Sequence, residues 1–180
     1  MKKQPEKPFL ESFAEKAGIL QGKPCTAEVS GSARKQRKDK HPRLIYLCGA
    51  VTNDPHAELK FHLAELYLKA RGNAVINPLR VNPPGVEWGD AMGCDLVILK
   101  RMMDLYHAIA MLANKMDESK IYWPTVCDID PADRPMDSIG KRLELSFASD
   151  VIPVIRLSCE WDALLRRAIE EKENADGEKS

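Results

Sequence analysis

Two carboxylates in apolar surroundings are the first candidates for chemistry. Asp95 lies in the run CDLVIL, and Glu144 falls on the apolar face of a predicted helix. A carboxylate in such company is either held by hydrogen-bonding partners or has a function. The structural alternatives are a capped Asp95 and an ordinary helical Glu144 paired with Lys141 or Arg142.

Two loop positions could bring a ligand close to the backbone. Gly49 follows the apolar run from Arg43 to Cys48, where the chain must turn sharply or admit a ligand. Ser138 can cap the helix that carries Glu144, which leaves backbone N–H groups for an anion or a sugar hydroxyl. Any glycine that ends a strand would look like Gly49, so that signal alone is not specific.

Short apolar runs alternate with segments of helical period, and these elements must position the candidates. Apolar residues recur three and four positions apart from Asp54 to Ala70, from Val86 to Met103, and from Asp137 or Ser138 to Ala148, which predicts helices. The apolar runs predict strands at residues 43–48, 74–77, 107–112 and 151–157.

This alternation predicts an α/β fold of the doubly wound kind, Rossmann-like or flavodoxin-like, with a parallel sheet and helices on both faces. In such sheets ligands bind outside the carboxyl ends of the strands. The loops at those ends are residues 49–54, 78–85 and 113–138. The candidate residues lie in or beside these loops.

The composition limits the class of protein. Of the 180 residues, 44% are apolar and 30% are charged, which fits one globular domain with tails. The 27 basic residues balance the 27 acidic ones, so we expect neither a nucleic-acid nor a membrane partner. The five scattered cysteines show no zinc-ligand spacing, and we find no leader and no membrane span, so we expect a cytoplasmic protein without a metal.

The domain is expected to comprise residues 43–157, with residues 113–137 as an insertion loop that could be a lid or a subunit contact. Residues 1–42 are predicted to be a mobile segment, because the stretch from Ser30 to Lys40 is polar and only Phe9 to Leu20 has a helical period. Residues 158–180 are predicted to form a C-terminal helix and a frayed tail.

The order of the motifs resembles the nucleoside 2-deoxyribosyltransferase superfamily. The likeness is carried by YLCGAVTN at residues 46–53, by Asp95 in CDL, by the run at residues 107–112, and by SIGKRLELSFASDVIPVI at residues 138–155. The nearest pattern is a phage and prophage domain of unknown function with a YLAGPITG-type opening. Ser138 is also the choice of the 5′-monophosphate N-glycosidase branch.

The resemblance implies a retaining hydrolase or transferase that needs no cofactor. Glu144 would attack the anomeric carbon of a nucleoside or nucleotide, and the glycosyl ester would yield to water or to a second base. Asp95 would hold sugar hydroxyls or assist the leaving base, and Tyr46 would hydrogen-bond near the nucleophile. Relatives often complete their sites in a homodimer, so a homo-oligomer is expected.

The resemblance also implies a set of substrate-binding residues. Three positions of the chain depart from the family pattern. Ala50 stands where relatives carry proline or serine, Thr52 where the monophosphate glycosidases use arginine, and His107 where aspartate is common. The set comprises Gly49, Ala50, Thr52, Ser138 and Gly140.

The departures leave two other functions open. One is a non-catalytic nucleotide-binding module or a phage-derived interaction module on the same fold. The other is a nicotinamide dinucleotide glycohydrolase, which breaks the same kind of bond. The chain has no G-x-G-x-x-G fingerprint, which argues against a dehydrogenase.

Overall fold

A computed structural model describes residues 7–21, 42–82, 84–117, 120–132 and 138–177. Its centre is a parallel sheet of four strands in the order β2-β1-β3-β4. The strands are β1 Arg43–Cys48, β2 Ala74–Ile76, β3 Trp123–Asp128 and β4 Val154–Arg156. The helices are α1 Lys7–Lys16, α2 Ala57–Lys69, α3 Pro78–Val81, α4 Trp88–Leu112, α5 Ile139–Ala148 and α6 Cys159–Gly177.

The predicted doubly wound α/β fold is confirmed, because helices cover both faces of the sheet. In the central strand β1, Ile45 and Leu47 pack into a core shared with α1, α2 and α6. The alternate residues Tyr46 and Cys48 pack into a second core with α4 and α5. Successive side chains of a strand point to opposite faces, so β1 presents Tyr46 and Cys48 together towards α4 and α5.

Local signals explain where α2 begins and ends. The Asp54 side chain accepts a hydrogen bond from the backbone N–H of His56 at 2.9 Å, which forms the turn before the helix. Gly72 has a φ of +82° just beyond it, a conformation that glycine adopts without steric cost.

The prediction of a strand at residues 107–112 is wrong, because these residues form the last turns of α4, a helix of 25 residues. The third strand is instead β3, which lies inside the predicted insertion loop and pairs with β1 along six positions. The interpretation of residues 113–137 as a loop is therefore wrong for Trp123–Asp128. Asp137 lies outside the described residues.

The N-terminal part of the chain also departs from its prediction. Leu10, Phe13 and Ala14 of α1 are buried against the first core. Residues 7–21 thus pack on the domain, because α1 covers apolar surface of α2 that would otherwise face water. Residues 1–6 and 22–41, which make up most of the predicted mobile segment, lie outside the described ranges. Within the described part of the chain, no helix has both the length and the apolar character needed to cross a membrane.

Candidate active site

Two donors on β1 hold the two oxygens of one buried carboxyl group. The Tyr46 hydroxyl donates to Oε1 of Glu144 at 2.9 Å, and the Cys48 thiol donates to Oε2 at 3.0 Å. Tyr46 and Cys48 are fully buried, and Glu144 is only 6% exposed. Alternate residues of the central strand therefore fix the orientation of the Glu144 carboxyl group on α5.

Asp95 joins this group from α4. In addition to burial, its charge acts on both Tyr46 and Glu144 and raises the pKa of each. The Asn82 amide, from the end of α3, donates to Asp95 Oδ1 at 2.9 Å. The structure thus brings Tyr46, Asp95 and Glu144 together from three different elements.

Both carboxyl groups have pKa values above their ordinary ones. Burial raises the pKa of Glu144 to about 7, while hydrogen bonds from Cys48 and Tyr46 lower it and the Asp95 charge raises it again. Burial also raises the pKa of Asp95, against the hydrogen bond from Asn82 and the nearby polar groups of Tyr46 and Glu144. Near neutral pH the Glu144 carboxyl is therefore partly protonated.

The two donors keep their own protons. Burial, followed by the nearby Glu144 charge, raises the pKa of Tyr46 far above its usual range. The same causes raise the pKa of the Cys48 thiol well above its usual value. Both groups therefore act as hydrogen-bond donors at neutral pH and not as nucleophiles.

A network of two lysines and three aspartates anchors α5 over the strand ends. Lys141 forms ion pairs with Asp128 at 2.8 Å, at the end of β3, and with Asp130 at 2.7 Å, just after it. Lys60 of α2 pairs with the other oxygen of Asp130 at 2.6 Å and with Asp54 at 2.5 Å. Burial lowers the pKa of Lys141, but hydrogen bonds to Asp128 and Asp130 outweigh it and raise the pKa, so this lysine stays charged.

Gly49 and Ala50 serve this network with their backbone. A Cβ atom at Gly49 would lie 2.9 Å from Ile129 Cγ1 and 3.2 Å from Asp130 Oδ1, so only glycine fits without a shift. The Ala50 N–H donates to Asp130 Oδ2 at 3.1 Å, and its carbonyl accepts from Lys60 at 2.9 Å. The first loop therefore binds the Asp130 carboxylate, and the backbone N–H of Ala50 already has an acceptor.

The remaining predicted residues take no part in the two hydrogen bonds that hold Glu144. Ser138 is half-buried at the start of α5 and makes no capping hydrogen bond with its side chain. Gly140 is buried against α4, where a Cβ atom would lie 2.9 Å from Met92 Cε. Thr52 lies in an exposed turn, and His107 is exposed on α4 instead of ending a strand.

Sequence reasoning did not single out Cys48 or the lysine–aspartate network as functional. Cys48 looked like a small apolar strand residue, which is how a buried cysteine behaves. A usable signal existed for Lys60, which stands among Leu59, Phe61 and Leu63 in a helix that is apolar on several sides. In the described ranges, no group of three or more potential ligand side chains is arranged to hold a metal ion.

Comparison with known proteins gives one match. A family model described as a domain of unknown function (DUF4406) matches residues 43–120, from β1 to just beyond α4. The matched part contains Tyr46 and Asp95 and ends before Glu144. No curated protein and no solved structure shows significant similarity to the chain.

Proposed function

We propose that this protein cleaves or exchanges the N-glycosidic bond of a nucleoside or nucleotide, with Glu144 as the nucleophile. One observation carries the proposal: both oxygens of Glu144 are held by donors, at 2.9 and 3.0 Å, beside a second carboxylate at the carboxyl edge of the sheet. That edge is where open α/β sheets bind ligands. The matched domain of unknown function carries no assigned activity, so the proposal rests on this geometry and on the likeness of residues 46–53 and 138–155 to nucleoside 2-deoxyribosyltransferases.

The carboxyl pair supplies the groups that the reaction needs. Glu144 enters the reaction as the carboxylate and Asp95 as the acid, and Glu144 Oε attacks the anomeric carbon as the bond to the base nitrogen breaks. Asp95 gives its proton to the leaving base. Water or a second base then displaces the glycosyl ester, Asp95 takes the proton of that nucleophile, and the Glu144 carboxylate is regenerated.

Release of free base tests the proposal. The protein is incubated with nucleosides, deoxynucleoside monophosphates and nicotinamide dinucleotide, and the products are separated by chromatography. Glu144→Gln keeps the shape but loses the negative charge, so base release should fall at least about a thousand-fold while ligand affinity is retained. Glu170→Gln, an exposed glutamate on α6, is the matched control and should behave like wild type. Turnover that survives Glu144→Gln would end the mechanism.

One observation favours a non-catalytic nucleotide-binding module as the second candidate. Asp130 already occupies the Ala50 amide, so the first loop offers a ligand one backbone donor fewer. A binding module would release no base from any substrate in the panel. Calorimetry would then detect nucleotide binding, and Glu144→Gln would alter the measured affinity.

We also propose a homo-oligomer, paired through an outward-facing seam on α4. The seam comprises Val97, Arg101, Asp104, Ala108 and Met111, all exposed and spaced alternately four and three residues apart. This spacing places them along one stripe of a helix. Beside Val97 the surface has a shallow depression of about 460 Å³.

A second copy fits this seam in an antiparallel arrangement. A two-fold axis between Arg101 and Asp104 would place each of them opposite the other in the partner, which forms two ion pairs. The same axis places Ala108 opposite Val97 of the other copy, beside the depression, and places Met111, which is 83% exposed, about one helical turn beyond it. For the location we propose the cytoplasm, which the absence of disulfides among the described cysteines supports.

A further inference from the structure

We propose that Cys48 is a positioning residue, whose thiol proton fixes Oε2 of Glu144 and so sets the orientation of the carboxylate. The catalytic consequence rests on the proposed function, whereas the hydrogen bond itself can be tested without any turnover. The YLAGPITG-type opening that residues 46–53 resemble has alanine where this chain has Cys48.

The distances decide which acceptor takes the thiol proton. Cys48 Sγ lies 3.0 Å from Glu144 Oε2 and 3.8 Å from the carbonyl oxygen of Lys141. A thiol has one proton to give. The nearer acceptor is also the one that becomes charged, and charge-assisted hydrogen bonds are the stronger kind, so the proton is directed to Glu144.

A second donor is needed because the terminal torsion of a glutamate is soft. Rotation of the carboxyl plane has broad, two-fold minima instead of three sharp ones. Tyr46 alone fixes Oε1 and leaves Oε2 free to rotate. With Cys48 on the same face of β1, both oxygens are held, and the plane of the carboxylate is defined before substrate arrives.

The surroundings of Glu144 keep Cys48 in this role. The charged or titratable groups that face Glu144 are Tyr46 and Cys48 on β1 and Asp95 on α4. Asp128 at the end of β3 and Lys141 on α5 act on the thiol. Burial and the Glu144 charge raise the pKa of the thiol, so the sulfur stays protonated and does not compete as a nucleophile.

The first experiment titrates the Glu144 carboxyl carbon by NMR in the full chain. Cys48→Ala removes a donor that lowers the Glu144 pKa, so this pKa should rise above about 7, and Cys48→Ser should restore it. Cys127→Ala is the matched control: Cys127 is equally buried in the neighbouring strand but packs into the other core, so the Glu144 pKa should not change. An unchanged Glu144 pKa in Cys48→Ala would overturn the proposal.

The infrared S–H stretching band covers the case in which Cys48→Ala does not fold. The band of Cys48 is assigned by its loss in Cys48→Ser, and it should move when Glu144→Gln replaces the acceptor. A band that stays in place would refute the contact.

Activity adds a readout that a packing role would not give. In Cys48→Ala, kcat should fall roughly tenfold, the equivalent of one hydrogen bond, with KM unchanged and with rescue by Cys48→Ser. A similar fall in kcat in the Cys127→Ala control would instead indicate a packing effect and overturn the proposal. Absence of base release from wild type would refute the proposed function alone, because the NMR and infrared results would still decide the role of Cys48.

Discussion

At the scale of single residues, the Glu144 carboxyl makes folding depend on pH. Its pKa is about 7 in the folded protein, against an ordinary value of 4.5. Between these values the folded chain keeps a proton that the unfolded chain has lost. The contribution of this group to the free energy of unfolding is therefore greatest below its ordinary pKa and falls as pH rises towards its folded pKa. Above the folded pKa the contribution no longer changes with pH.

We predict that Glu144→Gln stabilises the protein at about pH 8, on the order of 2–3 kcal/mol, and changes little at about pH 4. The amide needs no desolvated charge, whereas the carboxylate does above its folded pKa. Denaturant unfolding of both proteins at the two pH values measures the difference. The control Glu170→Gln is exposed and should show no pH-dependent difference. Equal destabilisation by Glu144→Gln at both pH values would contradict the prediction.

Residue types and sequence patterns predict only part of the candidate site. Asp95 and Glu144 attract attention because a carboxylate among apolar neighbours needs a partner or a purpose. The partner of each lies far along the chain, 98 positions away for Tyr46 and Glu144. No local pattern encodes that pairing, so Tyr46 entered through the resemblance and Cys48 did not enter as a candidate.

At the scale of elements, the strand–helix alternation predicted β1, α2 and α5 well and failed between residues 103 and 123. The run HAIAML at residues 107–112 is apolar without gaps, and such a run cannot be distinguished from a helix by periodicity. Strand β3 was hidden because Pro124 and Asp128 are unusual in a central strand. Its pairing with β1 overrides these weak local preferences.

Lys141 anchors α5, and we predict that Lys141→Met destabilises the protein by roughly 3 kcal/mol or more. The substitution leaves Asp128 and Asp130 with part of their buried charge unpaired. Lys100→Met is the matched control, because Lys100 pairs with Asp104 at the surface of α4, and it should cost no more than about 1 kcal/mol. Chemical denaturation measures both. Similar losses in the two variants would contradict an anchoring role.

Substitution of two glycines tests how tightly neighbouring elements pack. We predict that Gly49→Ala destabilises the protein by about 1–3 kcal/mol, because its Cβ would press on Ile129 and on the fixed carboxylate of Asp130. Gly140→Ala should stay within about 1 kcal/mol, because the atom it meets is the flexible end of Met92. Thermal unfolding would compare the two variants, and the reverse order would show that α4 and α5 pack more rigidly than the β1 loop.

At the scale of the whole molecule, the α4 seam predicts a dimer that charge exchange can report. Light scattering should show a dimer that Val97→Glu dissociates, since a charge would face the partner's apolar residues. Val81→Glu, at an exposed valine on α3, is the matched control.

Reversal of either charge alone should weaken the dimer, and Arg101→Asp combined with Asp104→Arg should recover it, because the two-fold axis pairs each position with the other. A monomer at all wild-type concentrations would refute the seam.

The strand order also determines when each strand can pair during synthesis of the chain. Strand β1 lies between β2 and β3, but β3 leaves the ribosome long after β2. At about 5–20 residues per second, Tyr46 waits roughly five to twenty seconds for Glu144. Until β3 emerges, earlier in that interval, one edge of β1 has no strand to pair with, and an open edge invites pairing with another chain. Helix α4 needs only local contacts and emerges inside this window, so it can shield the unfinished sheet until β3 arrives.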